Sequence, residues 1–308
     1  PPALNRAIIT RVKAENPDFI LWSEEFETRC SPAALEDGFD LITGDLWHVY
    51  KDLEKPGFCR RLFSTVTGSA LPVIGALETA DTPRAAWVYH DLKKIEFLVM
   101  LNYFIPNSIP FINNGLELLE VQPMNLGLDN TEAGRFVLAP EDPMYGKLAF
   151  FDNYRLHWLG KDRSWMEDLL KKALVLRARF EAILKNDFLV STLRSRWIGR
   201  GINRKKLVFL HYHQDRPVHA HRRVSDLLFL GNRDFNRGFR VNLRGLVRKE
   251  YGINPAELRV AYDGREVSDR SLEGRCSLLL NPGAVLILYK EFSHHSLDEQ
   301  GTGQSRWG

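Results

Sequence analysis

The sequence predicts an α/β protein in two parts, a parallel sheet with helices followed by an antiparallel β domain. Up to about residue 185, short apolar runs alternate with amphipathic stretches, whereas after residue 186 apolar residues recur with period two between turns. The net charge of +3 divides unevenly, because the first part is acidic and the second is basic. We therefore expect one domain over 1–185, a second over 186–292 and a disordered tail over 293–308.

The first part contains four predicted strands separated by predicted helices. The strands cover 18–23, 39–43, 71–77 and, more weakly, 109–112. The helices cover 3–15, 32–37, 46–65 and 85–104, and a capping box at 164–167 begins a further helix. Because repeated strand–helix units form parallel sheets that are buried on both faces, the apolar character of these strands favours a parallel sheet.

The second part contains five predicted strands, separated by turn residues. They cover 206–210, 226–230, 258–262, 277–280 and 284–289. Asp263-Gly264 and Asn281-Pro282-Gly283 mark turns between them. Short strands joined by such turns predict an antiparallel β domain.

The composition excludes several classes of protein. With 44% hydrophobic and 26% charged residues, the 308-residue chain is globular rather than disordered, collagenous or coiled-coil. The longest strongly apolar stretch, 95–105, is interrupted by polar residues and is shorter than the roughly 18 to 20 residues of a membrane span. The three cysteines lie far apart without C-x-x-C spacing, so we expect no disulfide framework, no zinc knuckle and a cytoplasmic location.

Acidic residues follow two of the predicted strands. Glu24 and Glu25 come directly after 19–23, and Asp81 follows 71–77. In an α/β barrel, functional carboxylates lie just past the carboxyl ends of strands. The alternative is structural, because acidic residues also cap loops and begin helices, and Pro83 suits the first turn of a helix after Asp81. Position alone leaves both interpretations open.

Three segments resemble the late motifs of the α-amylase superfamily, glycoside hydrolase family 13-like enzymes, in order and approximate spacing. They are Trp-Ser-Glu-Glu-Phe at 22–26, Glu-Thr-Ala-Asp-Thr-Pro-Arg at 78–84 and Ile-Pro-Phe-Ile-Asn-Asn-Gly-Leu-Glu at 109–117. The resemblance covers nearly all of the chain up to Phe292, more weakly beyond Asn186. It implies the C-terminal half of a (β/α)8 TIM barrel, strands 5–8, followed by an antiparallel β-sandwich domain.

The resemblance also implies roles for individual residues. Glu24 matches the general acid/base and Asp81 the transition-state-stabilising aspartate, while Gly115 and Glu117 match the motif after the last barrel strand. The family's nucleophile, an aspartate, is implied before Pro1, and the chain shows no initiator methionine. We therefore expect the chain to begin mid-gene, to be inactive alone and, with an unpaired barrel edge, to be poorly soluble.

One residue departs from the family pattern. A histidine usually precedes the stabilising aspartate, and this sequence has Ala80 instead. Branches that replace this histidine include maltosyltransferases acting on α-glucans, and Glu-Glu-Phe-Glu-Thr-Arg at 24–29 is similar to their acid/base motif. Hydrolysis of α-glucosidic linkages and transglycosylation both remain open, as does a noncatalytic glucan- or anion-binding relative.

Further side chains are candidates for binding an α-glucan or maltooligosaccharide. Trp47 and His48 could stack on or hydrogen-bond a sugar, with a core tryptophan and a loop histidine as the alternative. Four more candidates belong to the motifs: Arg84, Asn113, Asn114 and Glu117. The resemblance implies no organic cofactor.

The histidine pairs at 211/213 and 219/221 are candidate metal ligands. Residues two apart on a strand share a face, and paired imidazoles suit zinc or copper. No cysteine or carboxylate stands at obvious ligand spacing, and Arg216, Arg222 and Arg223 would repel a cation. We therefore expect a solvated hairpin and no metal.

Nucleic-acid binding is the rival class of function. Basic residues cluster between 194 and 206, namely Arg194, Arg196, Arg200, Arg204, Lys205 and Lys206. Such a run can contact phosphates, but no nucleic-acid motif with stacking aromatics accompanies it, and it is equally a solvated face. We expect neither a nucleic-acid nor a membrane partner.

Overall fold

The computed structural model describes residues 2–153, 155–159, 162–185, 206–215, 224–248 and 251–292. The chain separates into two compact units, Pro1–Leu174 and Val175–Gly308. The boundary lies within a helix, α7 (Ser164–Arg179), which begins at the predicted capping box. The predicted domain boundary at residue 185 stays a prediction, and the predicted tail 293–308 lies outside the described residues.

The first unit contains a four-stranded parallel sheet whose strands follow each other in chain order. The strands are β1 (Trp22–Ser23), β2 (Leu41–Ile42), β3 (Val73–Gly75) and β4 (Ser108–Pro110). The helices are α1 (Pro2–Glu15), α2 (Ser31–Asp37), α3 (Leu46–Lys51), α4 (Phe58–Thr67), α5 (Ala85–Tyr89) and α6 (Leu92–Phe104). Consecutive strand–helix units give this order, which confirms the predicted α/β class.

Strand β1 is shorter than the sequence predicts. The sequence predicts a buried strand over 18–23, whereas only Trp22 and Ser23 pair with β2, and Phe19 and Ile20 are 49% and 70% exposed. The physical reason is position, because β1 is an edge strand of the described sheet and its outer side has no strand partner among the described residues.

Two predicted helices are each divided in two. The helix predicted over 46–65 breaks between α3 and α4 at Pro56 and Gly57, where Gly57 has a positive φ of 84°. The helix predicted over 85–104 breaks between α5 and α6, where His90 has a φ of 49°. Asp91 then caps α6 by accepting a hydrogen bond from the Lys93 backbone.

A buried amide joins α3, α6 and β3 in the core of the first unit. Asn102 on α6 is 2% exposed, and its Oδ1 accepts a hydrogen bond of 2.8 Å from the Tyr50 hydroxyl. Its Nδ2 donates to the Gly75 carbonyl at 2.7 Å. Gly75 permits this approach, because a Cβ there would stand 2.2 Å from Asn102 Oδ1. The amide therefore fixes the helices against the central strand.

The second unit is an antiparallel β domain, as predicted. It also contains α8 (Glu181–Leu184). A five-stranded sheet has the order β5-β6-β11-β8-β9, and a second sheet pairs β7 with β10. The strands are β5 (Leu207–His213), β6 (Val224–Asn232), β7 (Phe239–Asn242), β8 (Arg259–Tyr262), β9 (Val267–Ser271), β10 (Ser277–Leu280) and β11 (Val285–Glu291). One buried apolar cluster has members from both sheets, including Phe209, Leu228, Val241, Leu280 and Leu288.

The expectation of a solvated hairpin at His211 and His213 is wrong. His211 is 5% exposed, and both rings hydrogen-bond the carboxylate of Asp226 on β6. Local spacing does not show this carboxylate, because antiparallel pairing brings Asp226 opposite His213. The second pair, His219 and His221, lies outside the described residues, as do the three neighbouring arginines.

Three further expectations concern membranes, thiols and charge. Among the described residues, no helix has the length and apolar character needed to cross a membrane. Within the part of the chain that the structure describes, Cys30, Cys59 and Cys276 form no disulfide bond. Of the basic cluster between 194 and 206, only Lys206 belongs to the described residues, so nucleic-acid binding is not tested by the structure.

We predict that Tyr50 and Asn102 are energetically coupled. Asn102→Ala should destabilise the chain by about 1 to 3 kcal/mol, because it leaves the Tyr50 hydroxyl buried without its acceptor. In a Tyr50→Phe background the same change should cost less, with a coupling of about 0.5 to 1.5 kcal/mol in urea unfolding. Tyr145→Phe, at a side chain 37% exposed, is the control and should change stability little. Additive effects at positions 50 and 102 would contradict the coupling.

Candidate active site

A cavity of about 350 Å³ lies at the carboxyl end of the parallel sheet. Residues after all four strands contribute to it, because the carboxyl ends of parallel strands meet at one edge. The lining residues are Trp22, Glu24, Phe26, Thr43, Ile74, Thr79, Ala80, Asp81, Phe111, Asn113 and Leu128. The cavity thus brings together Glu24, Asp81 and Asn113 of the predicted site.

Aromatic side chains form part of the cavity wall. Trp22 donates a hydrogen bond from its indole nitrogen to Thr43 Oγ1 at 2.9 Å, and its ring meets Phe111 edge to face with centroids 6.0 Å apart. Trp22 is nevertheless 47% exposed. None of these residues was predicted as a site residue, although Trp22 and Phe111 stand inside the motifs. Their position at or just after a strand end was the available signal.

Glu24 and Glu25 have different environments. Glu24 is exposed, lines the cavity and accepts no hydrogen bond from the described residues. The Glu25 carboxylate instead accepts a hydrogen bond of 2.8 Å from the Glu27 backbone, and its carbonyl accepts one from Gly44. Glu24 is therefore the member of the pair whose carboxylate is available to a ligand in this cavity.

Asp81 is oriented by an asparagine from a distant loop. Asn125 Nδ2 donates a hydrogen bond to Asp81 Oδ1, and the Asn125 backbone donates to the Ala80 carbonyl at 3.1 Å. The Asp81 backbone also donates to Thr79 Oγ1 at 3.3 Å. No sequence signal points to Asn125, because no motif or strand end marks that segment. The amide fixes one carboxylate oxygen of Asp81.

A buried ion pair between Glu78 and Arg84 contacts one of the residues that line the cavity. Glu78 is 1% exposed and pairs with Arg84 Nη1 at 2.6 Å. Burial raises the pKa of Glu78, although Arg84 and the hydrogen bonds from Ala85 and Asn113 favour its ionised form. The bond from Asn113 Nδ2 to Glu78 Oε1 is 3.2 Å long and ties a lining residue to this pair.

Arg84 connects three segments of the chain. Besides Glu78, its guanidinium donates to the carbonyls of Gln122 and Asn114, both at 2.8 Å. Arg84 is 1% exposed and does not line the cavity. These contacts indicate that Arg84 positions the loops after β3 and β4, and its predicted contact with substrate stays a prediction. Asn114 has an exposed side chain that is not part of the cavity lining, so its predicted contact with substrate also stays a prediction.

Gly115 and Glu117 shape the turn after β4. Gly115 has a φ of 103°, and a Cβ there would stand 3.1 Å from Arg84 Nη2. Glu117 Oε2 accepts a hydrogen bond of 2.9 Å from the Gly115 backbone. The positive φ and the close approach to Arg84 therefore favour glycine at position 115, and the Glu117 carboxylate stabilises the turn. Glu117 does not line the cavity, and its predicted contact with substrate stays a prediction.

Trp47 and His48 lie on α3 and outside the cavity lining. Trp47 is 8% exposed, with Lys51 Nζ 4.8 Å from its ring centroid. His48 is exposed and its Nδ1 lies 3.4 Å from Asp129 Oδ2. The Lys51 ammonium, 2.8 Å from the same carboxylate oxygen, lowers the pKa of Asp129. Asp129 follows the lining residue Leu128, so His48 belongs to a group beside the rim.

We predict that Arg84→Met destabilises the chain by about 3 to 5 kcal/mol, because it leaves the Glu78 carboxylate buried without its cation. Arg29→Met removes an ion pair with Glu27 whose arginine side chain is 82% exposed, and it should cost less than about 1 kcal/mol. Urea unfolding of the full chain measures both. Equal losses would show that the buried pair does not stabilise the loops as described.

Solved structures share this fold at low sequence identity, whereas no family model and no curated protein sequence matches the chain. The α-amylase of Geobacillus thermoleovorans is 16% identical, with a TM-score of 0.62 over 95% of this chain and 58% of that one. The cyclomaltodextrin glucanotransferase CldA is 13% identical, with a TM-score of 0.60 over 95% of this chain and 54% of that chain. The cyclic α-maltosyl-(1→6)-maltose hydrolase of Arthrobacter globiformis is 11% identical, with a TM-score of 0.59 over 95% of this chain and 53% of that chain.

The chain spans a little over half of the length of these structures. The matched part contains the parallel sheet with its helices and the antiparallel β domain. Over nearly its whole length, the chain therefore has the fold of the corresponding part of α-amylases and related glucanotransferases.

Proposed function

We propose that the cavity binds an α-glucan and that Glu24 acts there as the general acid/base of a retaining glycoside hydrolase or transglycosylase. The observation that carries this proposal is the shared cavity of Glu24 and Asp81, which follow different strands of the parallel sheet. The resemblance at 22–26, 78–84 and 109–117 supports the same two residues. A solved relative, the Geobacillus thermoleovorans α-amylase, was obtained with acarbose bound, which supports a glucan-like ligand.

The environment of Glu24 suits proton transfer. A retaining glycosidase needs a carboxylic acid that protonates the departing glycosidic oxygen and then, as a carboxylate, activates the attacking hydroxyl. Glu24 accepts no hydrogen bond from the described residues and is exposed to the cavity. Its proton can therefore move between the side chain and a bound oxygen without breaking an internal contact.

Asp81 suits a role in binding that strengthens in the transition state. Asn125 holds one of its carboxylate oxygens, which leaves the second oxygen to accept hydrogen bonds from sugar hydroxyls. Contacts of this kind accelerate the reaction only if they tighten as the ring flattens towards the oxocarbenium ion. Trp22 and Phe111 provide apolar faces against which a sugar ring can pack.

The mechanism requires a nucleophilic carboxylate roughly 5 to 5.5 Å from the acid/base. The resemblance assigns it to an aspartate before Pro1, and we propose that a segment carrying it completes the site. The edge of the sheet supports this proposal, because β1 is an edge strand and Phe19 and Ile20 beside it are exposed. The open edge of β1 presents backbone groups that can pair with an additional parallel strand.

Ala80 favours the transferase form of the proposal. It lines the cavity next to Asp81, where the family pattern has a histidine. Transfer and hydrolysis share the first half-reaction and differ in whether a sugar hydroxyl or water attacks the intermediate. An alanine removes one hydrogen-bonding group at this position, so the site lacks a polar contact that hydrolases of the family use there.

We predict that Glu24→Gln lowers turnover of α-glucans by about 10² to 10⁴-fold, because general acid catalysis is lost. The measurement uses a protein that joins this chain to the proposed nucleophile segment, with release of reducing ends and transfer products both quantified. Glu25→Gln is the matched control and should have a much smaller effect, since the Glu25 carboxylate binds the Glu27 backbone.

A larger loss from Glu25→Gln than from Glu24→Gln would contradict the assignment of the acid. Turnover by the 308-residue chain without any added segment, abolished by Glu24→Gln, would contradict the proposed position of the nucleophile. Binding of maltoheptaose without turnover in the joined protein would favour a noncatalytic glucan-binding relative.

We predict that Ala80→His changes the ratio of hydrolysis to transfer products in the joined protein, because it restores a polar group beside Asp81. The products from maltoheptaose are separated and quantified, and Ala80→Val serves as the control for added volume. An unchanged product ratio in Ala80→His would remove Ala80 as support for the transferase form.

A further inference from the structure

Three ligating side chains converge in the second unit. His211 Nε2 lies 2.9 Å from Asp226 Oδ1, and His213 Nδ1 lies 2.8 Å from the same oxygen. One ligand atom from each of the three residues falls within 4.8 Å of the others. The proposed glucan reaction does not use this cluster, whose members come from the antiparallel sheet.

Strand geometry places the three side chains on one face. His211 and His213 are two residues apart on β5, and Asp226 on β6 pairs directly with His213. Tyr212, between the histidines, therefore points to the opposite face. The sheet backbone fixes the spacing of all three side chains, so the cluster does not depend on a flexible loop.

Outer contacts orient each side chain of the cluster. The Ser225 hydroxyl donates to Asp226 Oδ2 at 2.9 Å, which leaves Oδ1 directed at the histidines. His213 Nε2 lies 3.1 Å from Asp215 Oδ1, and the His211 ring packs against Tyr251 with centroids 4.5 Å apart. Metal-binding histidines commonly have such a carboxylate on the second ring nitrogen, which fixes the tautomer and the ring orientation.

Burial and access also suit an ion. His211 and Asp226 are 5% and 3% exposed, whereas the His213 side chain is 48% exposed and gives solvent a path to the cluster. Lys290 pairs with Asp226 in the register between β11 and β6, but its ammonium lies 2.7 Å from the Glu257 carboxylate. Glu257 therefore balances the charge of the lysine nearest to Asp226 along the sheet.

We propose that His211 Nε2, His213 Nδ1 and Asp226 Oδ1 bind one divalent transition-metal ion of the zinc class. Two imidazoles and one carboxylate favour such an ion, since calcium and magnesium prefer oxygen ligands alone. With metal–ligand bonds of about 2.0 to 2.2 Å, tetrahedral ligands stand roughly 3.3 to 3.5 Å apart. Asp226 Oδ1 therefore moves about half an ångström away from each imidazole nitrogen, and the two nitrogens, which lie within 4.8 Å of each other, adjust to the same spacing. Water completes the coordination, and the ion links β5 to β6.

The test is a zinc titration of the full 308-residue chain after removal of metals with EDTA. We expect saturable binding by calorimetry, a rise in melting temperature, and d–d absorption bands when Co²⁺ replaces Zn²⁺. Asp226→Asn and His213→Gln should each weaken binding at least about 100-fold, because each removes a ligand that outer contacts already orient. His90→Asn, at an exposed histidine of the first unit, is the matched control and should leave the binding unchanged.

A second control addresses the four histidines outside the described residues. Substitution of His219, His221, His294 and His295 by glutamine should leave the high-affinity binding in place. Absence of saturable binding, or equal binding by the His213 and Asp226 variants, would overturn the proposal and leave a hydrogen-bonded cluster only. If Asp226→Asn fails to fold, the half-exposed His213→Gln decides the outcome.

Discussion

The loops that build the cavity depend on one buried ion pair, between Glu78 and Arg84. Both side chains are about 1% exposed, and separating them would leave an unpaired charge inside the protein. Arg84 also binds the carbonyls of Gln122 and Asn114, so the pair joins the segment after β3 to two segments after β4. Asn113, which binds Glu78, carries this constraint to the cavity wall.

Three carboxylates near the carboxyl end of the sheet acquire different properties from their surroundings. Glu78 is enclosed and satisfied by a cation and by amide hydrogens, which makes it structural. Asp81 is held through one oxygen by Asn125, and Glu24 is free of hydrogen bonds from the described residues. The proposed glycosyl transfer uses this division, because the group that transfers the proton needs an unoccupied hydrogen-bonding position, whereas the group that stabilises charge needs a fixed orientation.

In the second unit, the pairing of two strands brings together a cluster of side chains that neither strand contains alone. His211 and His213 share a face because the side chains of a strand alternate, and this relation is local. Asp226 reaches them only because β6 pairs with β5 in a register that sets Asp226 opposite His213. A shift of one residue in this register would turn the carboxylate to the other face of the sheet.

Periodicity and turn residues are local properties of the chain, and they predict the α/β class, the antiparallel second domain and the positions of Glu24 and Asp81 after strand ends. Packing between distant segments is what makes Glu24 rather than Glu25 line the cavity, buries Arg84 outside the lining, and brings a distant amide to Asp81. The helix break at Gly57 has a local signal in Pro56-Gly57, whereas the break at His90 contains no glycine or proline. Burial along one element leaves a repeating pattern in the sequence, whereas a hydrogen bond between residues far apart in the chain exists only after the elements have packed.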